Sequence, residues 1–133
     1  FPTHSEFTNS ERINQSRLQA HAIEAAEQCG GTYVPKVHTI CKLIDTLENW
    51  PETRNIFFCN EENLKPIKNL SSFPNGAWAI FIGPEGGFSQ NEKNHFLKHP
   101  KTFSVSLGPR ILRADTAVVS ALTLWQSNFG DWI

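Results

Sequence analysis

Apolar residues along this 133-residue chain recur in runs that predict β-strands. Residues 55–59 and 77–82 are almost continuously apolar, which is typical of strands buried on both faces of a parallel sheet. Residues 102–107 alternate between apolar and polar side chains and predict a half-exposed strand. Residues 34–40 are a short fourth candidate, and the polar residues 60–75 predict a loop.

The segments between these strands have apolar residues at helical spacing. A first helix is predicted over residues 10–29, opened by a capping box at residues 8–11 and ended by the glycine pair that follows it. Shorter helices are predicted over residues 41–49 and 89–98, the second with Ser89 as its N-cap.

The last predicted helix, residues 114–128, is apolar on several faces. Such a helix must be buried, either in the core or against a partner subunit. Strands that alternate with helices indicate one α/β domain, and we expect a mostly parallel sheet with helices on both of its faces.

Composition narrows the class of protein. Ten Phe and four Trp indicate a folded globular domain, and a formal net charge of −1 gives no overall attraction to nucleic acid.

The three cysteines are widely spaced and form no C-x-x-C pair, as expected for thiols in a reducing compartment. No stretch has the length of a membrane span and the start resembles no signal peptide, so we expect a cytoplasmic protein. Because the chain contains no Met, we expect a fragment of a longer protein.

The segment Ile-Gly-Pro-Glu-Gly-Gly, residues 82–87, is the strongest candidate for a binding site. It follows a predicted buried strand, and open α/β sheets bind ligands at the carboxyl ends of their strands. Its three glycines allow a ligand to approach the backbone closely. The segment lacks the Gly-Lys-Ser/Thr of a P-loop and the G-x-G-x-x-G spacing of dinucleotide sites. Taken alone, it is also compatible with an ordinary tight turn.

A second loop of similar character, residues 107–113, follows the strand at 102–107. Arg110 and Arg113 precede the last helix, where their positive charge opposes the helix macrodipole. This arrangement favours an anionic partner, with Asp115 as the internal candidate; the plain alternative is a surface pair between Arg113 and Asp115. Two such loops at the ends of two strands predict the two sides of one pocket.

Other reactive residues give weaker signals. His95 and His99 share a predicted helix face, but no H-E-x-x-H motif and no suitable further ligands accompany them, so we predict no metal site. The sequence contains no nucleophile elbow and no Cys-His motif, and covalent catalysis therefore has no support in it.

The string Leu-Gly-Pro-Arg-Ile-Leu-Arg at 107–113, followed by Asp-Thr-Ala, and the segment 82–87 resemble the 16S rRNA uridine N3-methyltransferases of the SPOUT superfamily. Residues 24–30 and Val34-Pro35 are similar to the first long helix and the next strand of that family. The similarity runs from about residue 10 to residue 132 in consistent order and spacing.

This resemblance implies an α/β fold with a C-terminal trefoil knot, one of the rare exceptions to unthreaded chains. It also implies S-adenosylmethionine as cofactor, held by the backbone and apolar side chains of three loops. The implied cofactor-binding residues are Cys59, Asn60, Glu61, Ile82, Gly83, Pro84, Glu85, Gly86, Gly87, Leu107, Gly108, Ile111 and Leu112.

The activity that the resemblance implies is methylation of N3 of a uridine in 16S rRNA. The implied catalytic residues are Arg110, Arg113 and Asp115. Either arginine stabilises the uracil anion, and a carboxylate, Asp115 or Glu85, orients the arginine or accepts the proton. The implied partners are 16S rRNA or the small ribosomal subunit and a second copy of the chain, with no membrane and no metal.

The chain departs from the family pattern in several ways. A PUA-like N-terminal RNA-binding domain and the first strand-helix unit of the knotted domain have no counterpart, so we expect residues 1–133 to be one partial methyltransferase domain. Asp115 stands where the family more often has Glu, and Gly31 where relatives often have Arg. Two alternatives stay open: a SPOUT methyltransferase acting on tRNA or another rRNA nucleotide, and a non-catalytic RNA-binding module that keeps the fold.

Overall fold

The computed structural model describes residues 1–8, 12–62 and 70–132. Strands and helices alternate along most of this length. In chain order the elements are β1 (Thr3–His4), α1 (Gln15–Gln28), β2 (Cys41–Lys42), α2 (Leu43–Glu48), β3 (Arg54–Cys59), a 3₁₀ turn (Leu70–Ser72), β4 (Ala77–Phe81), α3 (Gln90–Lys98), β5 (Thr102–Val105) and α4 (Ala114–Phe129).

The central sheet consists of three parallel strands in the order β4-β3-β5. Ile56 of the middle strand pairs with Ala79 on one side and with Thr102 on the other. A separate parallel pair is formed by β1 and β2. Parallel neighbours require crossover connections. Helix α1 lies in the connection from β1 to β2, and α3 in the connection from β4 to β5. The predicted parallel α/β class is therefore confirmed.

Both faces of the central sheet are covered, because successive residues of β3 point to opposite sides. One face carries Ile56 and Phe58, which pack against the apolar side chains of α2 and α3. The other face carries Phe57, which belongs to a cluster with Trp78, Val105 and Ala121 of α4. These three β3 residues are completely buried, as the continuous apolar run predicts.

The strand predicted at residues 34–40 is wrong. Val37 in the middle of this segment bonds to a helix instead of to a strand: its N–H donates to Gln19 Oε1 over 2.8 Å, and its carbonyl accepts from Gln15 Nε2 over 2.7 Å. The side chains of α1 thus satisfy the backbone groups that a neighbouring strand would otherwise bind. The strand that does form is β2, whose residues the sequence assigns to the following helix.

The first helix begins later than predicted, at Gln15. Asn14 is its N-cap, and the side chain of Asn14 accepts a hydrogen bond from the N–H of Arg17 over 3.0 Å. Residues 9–11 of the predicted capping box lie outside the described residues. The predicted end is confirmed, since Gly30 follows the helix with a left-handed φ of 68°.

The last helix, α4, buries only one of its apolar faces within this chain. Ala117 and Ala121 lie against the sheet, whereas Val118, Val119 and Leu122 are 39%, 66% and 48% exposed. Exposed apolar side chains that share one helix face are typical of a contact surface. No helix within the described ranges has the length and apolar character needed to cross a membrane.

Candidate functional site

The loops that follow β3, β4 and β5 enclose a cavity of about 300 Å³. Parallel strands end at the same edge of a sheet, so three segments that are distant in sequence converge there. The volume lies at the lower end of the range for small-molecule sites. The loop residues of its wall are 59–61, 82–85, 87–88, 107–108 and 110–114.

All but one of the predicted cofactor residues line this cavity. Gly86 instead backs onto the N-terminal segment, where a β-carbon on it would lie 3.1 Å from Cβ of Phe7. The loops at 82–87 and 107–113 therefore face each other, as two sides of one pocket. Further wall residues that the sequence did not single out are Phe58, Phe88, Lys93, Ala114 and Ala117.

Ser106 shapes the loop that follows β5. Its buried hydroxyl accepts a hydrogen bond from the N–H of Gly108 over 3.2 Å. Gly108 has a φ of 117°, a backbone conformation that other residues rarely adopt. Beyond this turn Ile111 borders the cavity while remaining 79% exposed, so the cavity has an apolar side chain at its mouth.

Cys59 contributes a neutral thiol to the cavity wall. Burial raises the pKa of this thiol to about 12, because a thiolate would lose its hydration there. A thiol that stays protonated at neutral pH is a poor nucleophile. The next residue, Asn60, ties this loop to the end of β5 through a hydrogen bond from its N–H to the carbonyl of Val105 over 3.0 Å.

A buried lysine with two more exposed carboxylate partners lies at the same wall. Lys93 is only 9% exposed, and its Nζ donates to Glu62 Oε1 over 2.6 Å and lies 3.9 Å from Glu61 Oε1. A buried ammonium needs such partners, because an unpaired charge is costly to desolvate. From sequence, a lysine in the first turn of a polar helix is expected to be exposed to solvent. Its partners become apparent only from the position of the loop after β3 in the structure.

The two predicted catalytic arginines border the cavity, but Asp115 is not among the described residues that line it. Arg113 Nε lies 3.9 Å from Asp115 Oδ1, and both side chains are 81% exposed. This is the surface pair, and such an exposed pair adds little stability. The carboxylates that do line the cavity are those of Glu61 and Glu85.

The wall as a whole suits a small organic molecule more than a metal ion. In the described part of the chain no three His, Cys, Asp or Glu side chains are grouped to hold a metal. Apolar side chains such as Ile82 and Leu112 lie beside glycine backbone, and the arginines add positive charge at the rim. This combination suits an organic ligand that presents both apolar and polar groups.

Comparison with known proteins gives concordant matches. The profile of the RNA methyltransferase domain family matches residues 1–126. The chain is 32% identical over 114 residues to ribosomal RNA small subunit methyltransferase E of Rickettsia conorii, covering 83% of this chain and 46% of that protein. It is 33% identical over 125 residues to the protein of that name from Buchnera aphidicola subsp. Acyrthosiphon pisum, covering 91% of this chain and 49% of the relative.

A solved structure agrees with these sequence matches. The ribosomal RNA small subunit methyltransferase E of Neisseria gonorrhoeae, bound to S-adenosyl methionine, superimposes with a TM-score of 0.83 at 28% identity. The superposition covers 99% of this chain and 55% of that one. The chain thus spans about half the length of the curated relatives that it matches.

Proposed function

This chain belongs to the RNA methyltransferase domain family, and we propose on that premise that it is the catalytic domain of a cytoplasmic enzyme that methylates small-subunit ribosomal RNA with S-adenosylmethionine. The observation that carries the proposal is the convergence of three glycine-bearing or turn-forming loops on one cavity. Support also comes from relatives that are named for this activity and from a similar structure that contains this cofactor.

We further propose that the modified atom is N3 of a uridine in 16S rRNA. The support is the resemblance of residues 82–87 and 107–113 to the uridine N3-methyltransferases. N3 lies on the base-pairing edge of uracil, so the target base must be unpaired or flipped to reach the cavity.

The residues present fit the cofactor. The adenine would lie between apolar side chains of the β4 and β5 loops, chiefly Ile82, Leu107 and Leu112, with backbone groups as hydrogen-bond partners. When bound, S-adenosylmethionine supplies a methyl group on a sulfonium that is open to in-line displacement. The chain contributes by holding donor and acceptor in near-attack geometry, which accounts for much of the acceleration of such transfers.

The arginines at the cavity rim supply the remaining chemistry. N3 of uracil becomes a good nucleophile only when its imide proton leaves. A guanidinium of Arg110 or Arg113 beside O2 or O4 stabilises the anion as it forms. Glu85, which lines the cavity, is the carboxylate that we assign as proton acceptor, whereas Asp115 contacts Arg113 and can orient it.

Two structural features of the family are also part of the proposal. A trefoil knot is supported by the resemblance of residues 82–87 and 107–113 to the SPOUT methyltransferases. A homodimer is supported by the exposed apolar face of α4. A net charge of −1 does not favour RNA binding overall, so the RNA contacts would come from local basic groups such as Arg110 and Arg113 at the rim and from the partner subunit.

Calorimetric titration of the chain with S-adenosylmethionine tests cofactor binding. Transfer of a labelled methyl group by the intact protein to unmodified small ribosomal subunits, followed by mass spectrometry of the digested nucleosides, tests the product. We expect 3-methyluridine from 16S rRNA. A methylated ribose, another base or a preference for tRNA would replace the uridine assignment, and absence of cofactor binding would indicate a non-catalytic module.

A further inference from the structure

Lys93 borders the cavity but has no part in the proposed methyl transfer. Its side chain is 11% exposed, whereas those of its partners Glu61 and Glu62 are 41% and 57% exposed. A mostly buried ammonium therefore reaches outward from the first turn of α3 to two carboxylates on the loop after β3. The cluster joins the loop after β3 to helix α3 at the cavity wall.

Glu61 is confined from a second direction. A β-carbon on Gly87 would lie 2.9 Å from Glu61 Oε1, so this carboxylate occupies space that only a glycine leaves free. Gly87 also has a left-handed φ of 73°, which favours glycine independently. A glutamate at the surface normally samples many rotamers, and two contacts of this kind reduce that freedom before any ligand binds.

We propose that Lys93 is a positioning residue that holds the Glu61 carboxylate as the acceptor for the ribose hydroxyls of the bound nucleoside. The proposal rests on the proposed function, since it assigns a role toward the nucleoside portion of S-adenosylmethionine. Carboxylates that follow a strand accept hydrogen bonds from ribose hydroxyls in other nucleotide-binding α/β folds. Glu61 has the corresponding place after β3.

Charge favours a ribose over the alternative ligand groups. Lys93, Glu61 and Glu62 together carry one net negative charge, which repels the phosphates of RNA. Because the Glu61 carboxylate lies near an ammonium, its attraction for a second cation such as the sulfonium is reduced. Neutral hydroxyl donors are not repelled by the Lys93 ammonium. Hydrogen bonds to a charged acceptor are also stronger than those between neutral groups.

Removal of one ribose hydroxyl provides the test. Affinities of the intact protein for S-adenosylhomocysteine and for its 2′-deoxy analogue are measured by calorimetry in the wild type and in Glu61→Gln, Lys93→Met and Lys93→Arg. The wild type should prefer the hydroxylated ligand by about tenfold, the size expected for one hydrogen bond to a charged group. Glu61→Gln and Lys93→Met should lose most of this preference, and Lys93→Arg should keep it.

A merely structural role of Lys93 predicts a different result, namely weaker binding of both ligands with the preference unchanged. That result, or a preference that survives in Glu61→Gln, overturns the inference. Lys93→Met removes a buried charge and should fold; Lys93→Gln repeats the measurement if it does not. Because Glu61 is exposed, Glu61→Gln tests the carboxylate in either case. Failure of the wild type to bind S-adenosylmethionine or S-adenosylhomocysteine would instead overturn the proposed function.

Discussion

The backbone N–H of Glu6 donates a hydrogen bond of 2.8 Å to Oε1 of Glu92, across 86 positions of sequence. The other oxygen, Oε2, accepts from the N–H of Ser89 over 2.9 Å, so one buried carboxylate both caps α3 and holds the N-terminal segment. The next residue of that segment, Phe7, lies against Gly86. Glu92 thereby supports the glycine loop of the cavity from behind.

Replacement of this carboxylate should destabilise the fold. Glu92→Ala leaves the N–H groups of Glu6 and Ser89 without their acceptor, and we expect a loss of about 2–3 kcal/mol in the free energy of unfolding. Urea denaturation measures it. Glu24→Ala, at an exposed carboxylate on α1, is the control and should change stability by less than about 0.5 kcal/mol. Equal stability of the two variants would contradict the supporting role of Glu92.

Gly87→Ala should lower the affinity for the cofactor by more than the backbone strain at residue 87 alone would cause. The added methyl group would collide with Glu61 Oε1, and the left-handed φ of 73° adds about 1–2 kcal/mol of strain. Gly30→Ala is a matched control, since Gly30 has a φ of 68° with nothing within 4 Å of its β-carbon position. Both variants should lose similar stability, whereas calorimetry should find reduced affinity for S-adenosylmethionine only in Gly87→Ala.

Arg113→Ala should reduce methyl transfer by about 100-fold or more, because a donor that stabilises the developing negative charge is lost. Cofactor affinity should stay within a few-fold, since the arginine acts on the base. Transfer of labelled methyl groups to small subunits under single-turnover conditions measures the rate. Arg54→Ala, at the opposite end of β3, is the control and should retain the wild-type rate. If Arg113→Ala retains activity, Arg113 is not catalytic.

The half-buried thiol of Cys59 should make stability depend on alkaline pH. Burial raises its pKa from 9.0 to about 12, so the unfolded chain loses this proton at lower pH than the folded one. The contribution of the neutral thiol is complete below pH 9 and is lost as pH rises to about 12. Unfolding free energies measured across this range should fall more steeply in the wild type than in Cys59→Ala.

The exposed apolar face of α4 should mediate self-association. Val119 is 66% exposed, and a lysine there would place a charge at the centre of that face. Val119→Lys should convert the intact protein from dimer to monomer in light scattering after size exclusion. Ser127→Lys, at an exposed polar position of the same helix, should remain dimeric. A dimeric Val119→Lys variant would assign the interface to another surface.

Local sequence signals identified most elements and both cavity loops. The continuous apolar runs predict β3 and β4 because their side chains are buried on both faces, and Ser89 predicts the start of α3 because its side chain caps the helix. Gly87 and Gly108 of the two loops are informative for a similar local reason, since their positive φ marks backbone that bulkier residues rarely adopt.

Other features depend on which segments become neighbours, and no local pattern encodes that. The segment 34–40 is apolar enough for a strand, yet glutamines of α1 bind its backbone. Lys93 gains its partners only when the loop after β3 folds over α3. Asp115 pairs with Arg113, its near neighbour in sequence, but this pair lies at the surface. The sequence by itself determined most of the secondary structure and the candidate loops, because these depend on conformational preference and on burial pattern. Only the tertiary structure decided which charges pair and which side chains share the cavity, because those contacts join residues that are distant along the chain.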